Sequence, residues 1–290
     1  MRPLALAAVA VLLCVAAAAV FLSLPAAPAS SYVIEGNRFQ YTLPSPPAFT
    51  QAPLPGGAEK VTFASRGGAT IFGLFEAPNG SGPFPAFVVL PGASVEKEAE
   101  QAGIARDLRR LGFATLTLDQ RATGETGGSM PSLQAELASF QNRNEPANHQ
   151  MVADALLAAR LLQSWPEVDD QRVGLAGVSM GGRIAIIAGV QDPSIWGVVG
   201  VSTGGIAIPP GIAPEAANFV ASISPDTYVA DLAPRPLLLI HGLNDTVIPP
   251  AAAEITFQRA GEPKQLLLAE GGHGYYTQFD FPLLQAVLQW

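Results

Sequence analysis

From residue 61 onward, short apolar runs alternate with stretches of helical period, and few folds accept that alternation. Residues 61–64 and 69–75 read as two strands around Arg66-Gly67-Gly68, a hairpin signal. Residues 86–90 (AFVVL) are wholly apolar, as in a strand buried on both faces. Residues 96–111 carry helical spacing that stops at Gly112, and 113–118 form the next strand. Further on, helix is expected over 151–165, 181–189, 251–260 and 281–290, and strand over 172–178, 195–201, 237–240 and 265–269. The pattern predicts an α/β fold: a mostly parallel central sheet with helices on both faces and the antiparallel hairpin at one edge. The irregular stretches 121–147 and 202–234 are long for a compact domain, and such stretches usually serve function.

Composition removes several functions. Among 290 residues, 24 are acidic and 16 basic, a net charge of −8, with no run of Lys or Arg, so nucleic acid is not an expected partner. One cysteine excludes an internal disulfide framework, and three histidines (His149, His241, His273) leave little for a metal centre. Neither a G-x-G-x-x-G after a strand nor a G-x-x-x-x-G-K-[ST] occurs, so no nucleotide cofactor is expected, and no metal.

Residues 1–24 stand apart from the fold. Residues 4–24 carry no charge and follow a lone Arg2, long enough to cross a bilayer. Ala27-Pro28-Ala29 also fits an A-x-A cleavage pattern. An uncleaved membrane anchor and a cleaved signal peptide both remain open, and both place the rest of the chain outside the cytoplasm. Residues 25–60 are proline-rich and are expected to form an extended spacer before a catalytic domain over 61–290. Asn79-Gly80-Ser81 reads as a turn and fits a glycosylation acceptor.

The chemistry centres on Gly177-Val178-Ser179-Met180-Gly181, a G-x-S-x-G set between the strand VGLAGV and the helix GGRIAIIAG. A strand that turns straight into a helix there forces the serine into strained backbone geometry, and side chains at 177 and 181 would collide. Ser179 is thereby lifted above the sheet at a helix N-terminus, a nucleophile in need of a base and an orienting acid. Asp245 lies just past the LLLI strand and His273 just past QLLLA, in the order Ser, Asp, His and at the strand ends where open parallel sheets build sites. His241 also ends a strand, but no third strand-end acid matches it. His149 begins a helix, and Asp119 precedes the serine in the wrong order. An oxyanion hole is expected from the Met180 backbone N–H and from the Pro91-Gly92-Ala93-Ser94 loop, with Ala93 N–H as the second donor.

These motifs resemble the α/β-hydrolase superfamily over residue 61 to the C-terminus. DQRATGETGG (119–128) is similar to its loop after the fourth strand, RPLLLIHGLNDTVIPP to the segment delivering the acid, and EGGHG to the loop delivering the histidine. The run VDDQRVGLAGVSMGG resembles the dienelactone-hydrolase-like and prolyl-oligopeptidase-like branches. The resemblance implies Ser179 as nucleophile, Asp245 as acid and His273 as base, with Asp119 and Arg121 fixing their loop. There are departures: Pro91-Gly92 replaces the His-Gly of many relatives, Ala122 stands where glycine is common, and 202–234 is too short for a large lid. That segment either lines an acyl pocket or simply packs over the sheet edge. The expected activity is hydrolysis of carboxylic esters on a small or short-acyl substrate, without cofactor. Amide or peptide hydrolysis, and a non-catalytic extracytoplasmic binding module, are the alternatives; substrate identity and oligomeric state are not legible.

Overall fold

A computed structural model describes residues 25–28, 30–42 and 44–274. The expected membrane segment at 4–24 and the closing helix at 281–290 therefore lie outside the described residues. In chain order the strands are β1 (Tyr32–Glu35), β2 (Arg38–Tyr41), β3 (Phe49–Pro53), β4 (Glu59–Ala64), β5 (Thr70–Glu76), β6 (Phe84–Leu90), β7 (Ala114–Leu118), β8 (Val168–Val178), β9 (Val198–Val201), β10 (Leu237–Gly242) and β11 (Lys264–Ala269). The helices are α1 (Lys97–Gln101), α2 (Ile104–Arg110), α3 (Leu133–Gln141), α4 (Ala147–Gln163), α5 (Met180–Gln191), α6 (Pro214–Ser222) and α7 (Pro250–Arg259).

Nine strands form one sheet in the order β11-β10-β9-β8-β6-β7-β5-β4-β3 among the described residues. From β11 to β7 all neighbours are parallel, while β3, β4 and β5 join antiparallel at the far edge. The edge hairpin is where the sequence placed it. Gly67 and Gly68 take positive φ in its turn (64° and 74°), a conformation that costs glycine little.

The central strands are apolar throughout because both faces are covered. Along β6, Ala86, Val88 and Leu90 face one cluster with α4 and α5, while Phe87 and Val89 face the other with Ile104 and Leu108 of α2. This period-two split places helices on both faces of the sheet. Burying a side chain such as Val88 or Leu156, both fully buried, contributes roughly 1.5–3 kcal/mol.

Three expectations are corrected. Residues 25–60 are not simply a spacer: β1 pairs with β2, Phe39 and Tyr41 enter the main core, and β3 joins the sheet as its edge strand. The apolar residues of YVIEGNRFQY alternate around Gly36 (φ 60°), and the prolines fall between strands or, as Pro53, on the edge strand where a missing N–H is tolerated. The helix expected over 96–111 is two, α1 and α2, broken at Ala102-Gly103, where Gly103 leaves helical backbone (φ −102°, ψ −118°). The irregular stretches 121–147 and 202–234 hold α3, capped by Ser132 Oγ on Ala135 N–H at 3.2 Å, and α6. Asn79-Gly80-Ser81 lies in an exposed bend between β5 and β6. Among the described residues no helix is long and apolar enough to cross a membrane.

Candidate active site

The β8–α5 junction sets the geometry. Ser179 has φ 54° and ψ −116°, a backbone state that costs a non-glycine residue of order 1–3 kcal/mol. Its neighbours enforce it: Ser179 N–H donates to Val201 O (2.8 Å), and Thr203 Oγ1 donates to Ser179 O (2.9 Å). The turn also needs its glycines. A Cβ on Gly177 would lie 2.3 Å from the Gly181 backbone, and one on Gly181 would lie 1.9 Å from Leu90 O. The collision inferred from sequence is thus a contact among the ends of β6, β8 and α5.

Two loops bring up the other groups. A Cβ on Gly242 would meet Gly271 O at 2.4 Å, and Asn244 N–H donates to Gly271 O at 2.9 Å, so the loops after β10 and β11 are packed backbone to backbone. On them, His273 Nδ1 lies 2.8 Å from Asp245 Oδ2, and His273 Nε2 lies 2.9 Å from Ser179 Oγ. An ionised carboxylate only accepts, so Nδ1 carries the hydrogen and Nε2 keeps a lone pair toward the serine hydroxyl. Asp245 Oδ1 accepts the Val247 and Ile248 N–H groups, each at 2.9 Å. Burial pushes the Asp245 pKa up, but the bonds from His273, Ile248 and Val247 outweigh it and hold the carboxyl below its ordinary range. Gly274 N–H donates to Ser202 Oγ (3.0 Å), anchoring the histidine loop to the end of β9.

Met180 opens α5, so its N–H has no intrahelical acceptor. Ala93 lines the same cavity as Ser179, and a Cβ on Gly92 would be 3.5 Å from Ser179 Cβ, so this loop runs against the nucleophile. Buried Gln120 donates through Nε2 to Pro91 O and fixes the loop from below. The cavity holds about 830 Å³ and is walled by Ile206, Ile208, Val247, Ile248 and Ile255, together with Met180. Ile206 and Ile208 come from the 202–234 segment, which therefore does line the space above Ser179.

The remaining sequence candidates sit elsewhere. Asp119 is fully buried and accepts Lys97 N–H (2.9 Å), Lys97 Nζ (2.8 Å) and Glu125 N–H (2.8 Å), a loop clamp away from the serine. Arg121 bridges Asp154 (2.7 Å) and Arg66 O (2.9 Å), and Ala122 takes left-handed backbone (φ 66°), a state that glycine would adopt at less cost. His149 is in the core, bonded to the Tyr32 hydroxyl (2.7 Å) and the Ser222 hydroxyl (2.9 Å). His241 reaches the acid rather than the serine. Its Nε2 donates to Ile248 O (2.8 Å) and lies 3.3 Å from Asp245 Oδ2. Sequence reasoning missed this contact, as well as Thr203, Ser202 and Arg183; the one legible signal was a single arginine in an otherwise uncharged helix, GGRIAIIAG. Among the described residues no cluster of three or more His, Cys, Asp or Glu is placed to hold a metal ion.

A mostly parallel sheet with a strained serine at a strand-to-helix elbow, and an acid and a histidine on later strand ends, defines the α/β-hydrolase class. The acetyl xylan esterase (AXE1) family profile matches residues 57–202, half of the chain, and the chain belongs to that family. The protein YfhR of Escherichia coli is 27% identical over 228 residues, covering 76% of this chain and 74% of its own. In fold, acetyl xylan esterase 1 from a Thermoanaerobacterium species superposes with TM-score 0.67 at 18% identity, covering 83% of this chain and 87% of its own. An acetyl xylan esterase from a Paenibacillus species does so with TM-score 0.71 at 17% identity, covering 84% and 88%. The chain is a carboxylic ester hydrolase of α/β-hydrolase fold.

Proposed function

We propose that this esterase works through a Ser179-His273-Asp245 triad and an acyl-enzyme. Ser179 Oγ attacks the ester carbonyl while its proton passes to His273 Nε2. The imidazolium returns that proton to the departing alcohol. A water deprotonated by His273 then attacks the acyl-enzyme, releasing the carboxylic acid and restoring the serine. Asp245 holds the tautomer and offsets the imidazolium charge. The Met180 and Ala93 N–H groups receive the oxyanion, a term on the order of 3 kcal/mol per donor. The observation that carries this reading is the unbroken chain Ser179 Oγ–His273–Asp245, at 2.9 and 2.8 Å.

The apolar wall above Ser179 suits an acyl group or the carbon skeleton of an alcohol. The uncharged residues 4–24 carry the catalytic body out of the cytoplasm, as anchor or cleaved leader; cell fractionation with N-terminal sequencing of the mature protein tests this. For the chemistry, the test is turnover of p-nitrophenyl esters of graded acyl length beside p-nitroanilides. Ser179→Ala is expected to abolish ester turnover and fluorophosphonate labelling while leaving the far-UV spectrum unchanged. Turnover retained in Ser179→Ala would sink the triad reading, and preference for anilides would favour the amidase reading.

A further inference from the structure

The wall of the substrate cavity is mostly apolar, with the hydroxyls of Thr203, Ser224 and Thr227 and three charged side chains set into it. Arg183 lies one turn along α5 from Ser179 and lines the same cavity. Its guanidinium carries five N–H donors. Its one side-chain hydrogen bond among the described residues is from Nη2 to Asn148 Oδ1, at 3.1 Å. Asn148 is neutral, and its own amide is turned by Glu136, which accepts Asn148 Nδ2 at 2.8 Å. Glu136 is itself used up on the first turn of α4, accepting the Ala147 and Asn148 N–H groups at 2.7 and 3.0 Å. No carboxylate of the described residues lies within ion-pair distance of Arg183.

Most other partly buried arginines meet a carboxylate, and Arg235, which does not, donates instead to the Gly189 and Asp192 carbonyls. Arg66 pairs with Glu145, Arg109 with Glu76 at 2.6 Å, Arg121 with Asp154 at 2.7 Å and Arg160 with Asp192 at 3.1 Å. Arg259, at the cavity rim, pairs with Asp226 at 3.4 Å. The charged side chains lining the cavity are Arg183, Arg259 and Asp226, so its wall carries a net charge of +1 in a chain of −8. Holding a guanidinium out of water without a counter-ion costs free energy that its surroundings do not return. Burial pushes the Arg183 pKa down to about 10, which still leaves it charged at neutral pH.

We infer that Arg183 is the anchor for a carboxylate carried by the substrate, making the preferred substrates of this esterase acid-bearing esters rather than neutral ones. The planar fork of the guanidinium fits a carboxylate with two parallel N–H···O bonds. The one carboxylate on the cavity wall among the described residues, Asp226, is engaged by Arg259 at 3.4 Å and by the Thr256 hydroxyl at 2.5 Å, not by Arg183. This inference rests on the Ser179 esterase reading and adds the substrate class to it. The carboxylate belongs either to the acyl part, as in a hemiester of a dicarboxylic acid, or to the alcohol part, as in an acylated hydroxy acid.

The test compares matched pairs on the full chain. Mono-p-nitrophenyl adipate against p-nitrophenyl hexanoate probes the acyl side; 4-acetoxybenzoate against its methyl ester probes the alcohol side. At least one pair is expected to show tenfold or greater preference in kcat/KM for the anion. In Arg183→Gln that anionic-to-neutral ratio is expected to fall tenfold or more, with the loss mainly in KM, and Arg183→Lys is expected to restore part of it. Should Arg183→Gln fail to fold, the wild-type ratios and competitive inhibition by free adipate over adipamide still decide. Neutral esters equal to or better than anions in both pairs, or a ratio indifferent to Arg183→Gln, would overturn the anchor while leaving the esterase standing. No turnover of any ester and no fluorophosphonate labelling would overturn both.

Discussion

At the level of single residues, the site depends on atoms that are missing as much as on those present. Gly181 illustrates this: a Cβ there would sit 1.9 Å from Leu90 O, a backbone atom of a central strand that cannot move aside. Gly181→Ala is expected to lose about 3 kcal/mol of stability, the upper end of overpacking costs, along with nearly all turnover, read by urea unfolding and ester hydrolysis. The two histidines near Asp245 separate by reach. His273 bridges the acid and the serine, whereas His241 touches only the acid and Ile248 O. His273→Gln is therefore expected to lower kcat by about 10³-fold or more, near the cost of losing a triad member, and His241→Gln far less. Equal losses in the two variants would mean that the base is misassigned. The positions of Ser179, Asp245 and His273 were legible because each is bracketed by a strand and a glycine-bearing turn. The contact of His241 with the acid was not, because it is set by how the loop after β10 folds back on itself.

At the level of elements, the N-terminal hairpin is the clearest departure from the sequence reading. A proline-rich segment reads as extended chain, yet β1 and β2 place Phe39 flat against His149, with ring centroids 3.7 Å apart and planes 13° apart. Tyr32 supplies the hydroxyl that meets the His149 ring. A spacer would tolerate substitution; a core element would not. Phe39→Ala is expected to cost about 3–5 kcal/mol, as for large buried aromatics, whereas the spacer reading predicts no change in the unfolding midpoint. The helix break at Gly103 belongs to the same scale. Helical period runs through 96–111, but the chain bends at Gly103, and α1 and α2 both pack on β6 and β7.

Across the whole molecule, pH reports on groups buried in one charge state. His149 has both ring nitrogens satisfied by hydroxyls in its neutral form, and burial holds its pKa at about 3 against roughly 6.5 in the unfolded chain. Between those values the unfolded state binds a proton that the folded state refuses, so stability falls as pH falls through this window, by up to about 1.4 kcal/mol per unit. Above pH 6.5 the group contributes no slope. Asp245 acts with the same sign at lower pH: its depressed pKa stabilises the fold above the unfolded carboxylate value, and that gain is lost as pH falls through the folded one. Urea unfolding of wild type and His149→Gln at pH 7 and pH 4 checks the larger effect. The stability gap between them is expected to shrink on acidification by about 2–3 kcal/mol, from one proton over the window; a constant gap would assign the acid sensitivity elsewhere.

From residue 61 onward the amino-acid sequence by itself determined most of the order of strands and helices, the parallel sheet with its antiparallel edge, and which three residues stand at strand ends. Those features follow from local periodicity and turn chemistry, which act over a few residues. The tertiary structure alone decided what touches across distance. Asp245 and His273 meet because two glycine loops pack backbone to backbone, and Phe39 joins the core because α4 offers it a ring. Arg183 faces the cavity without a carboxylate because its side-chain partner in the first turn of α4 is Asn148, not an acid. None of these partners is near its counterpart in the chain, and no periodicity encodes them.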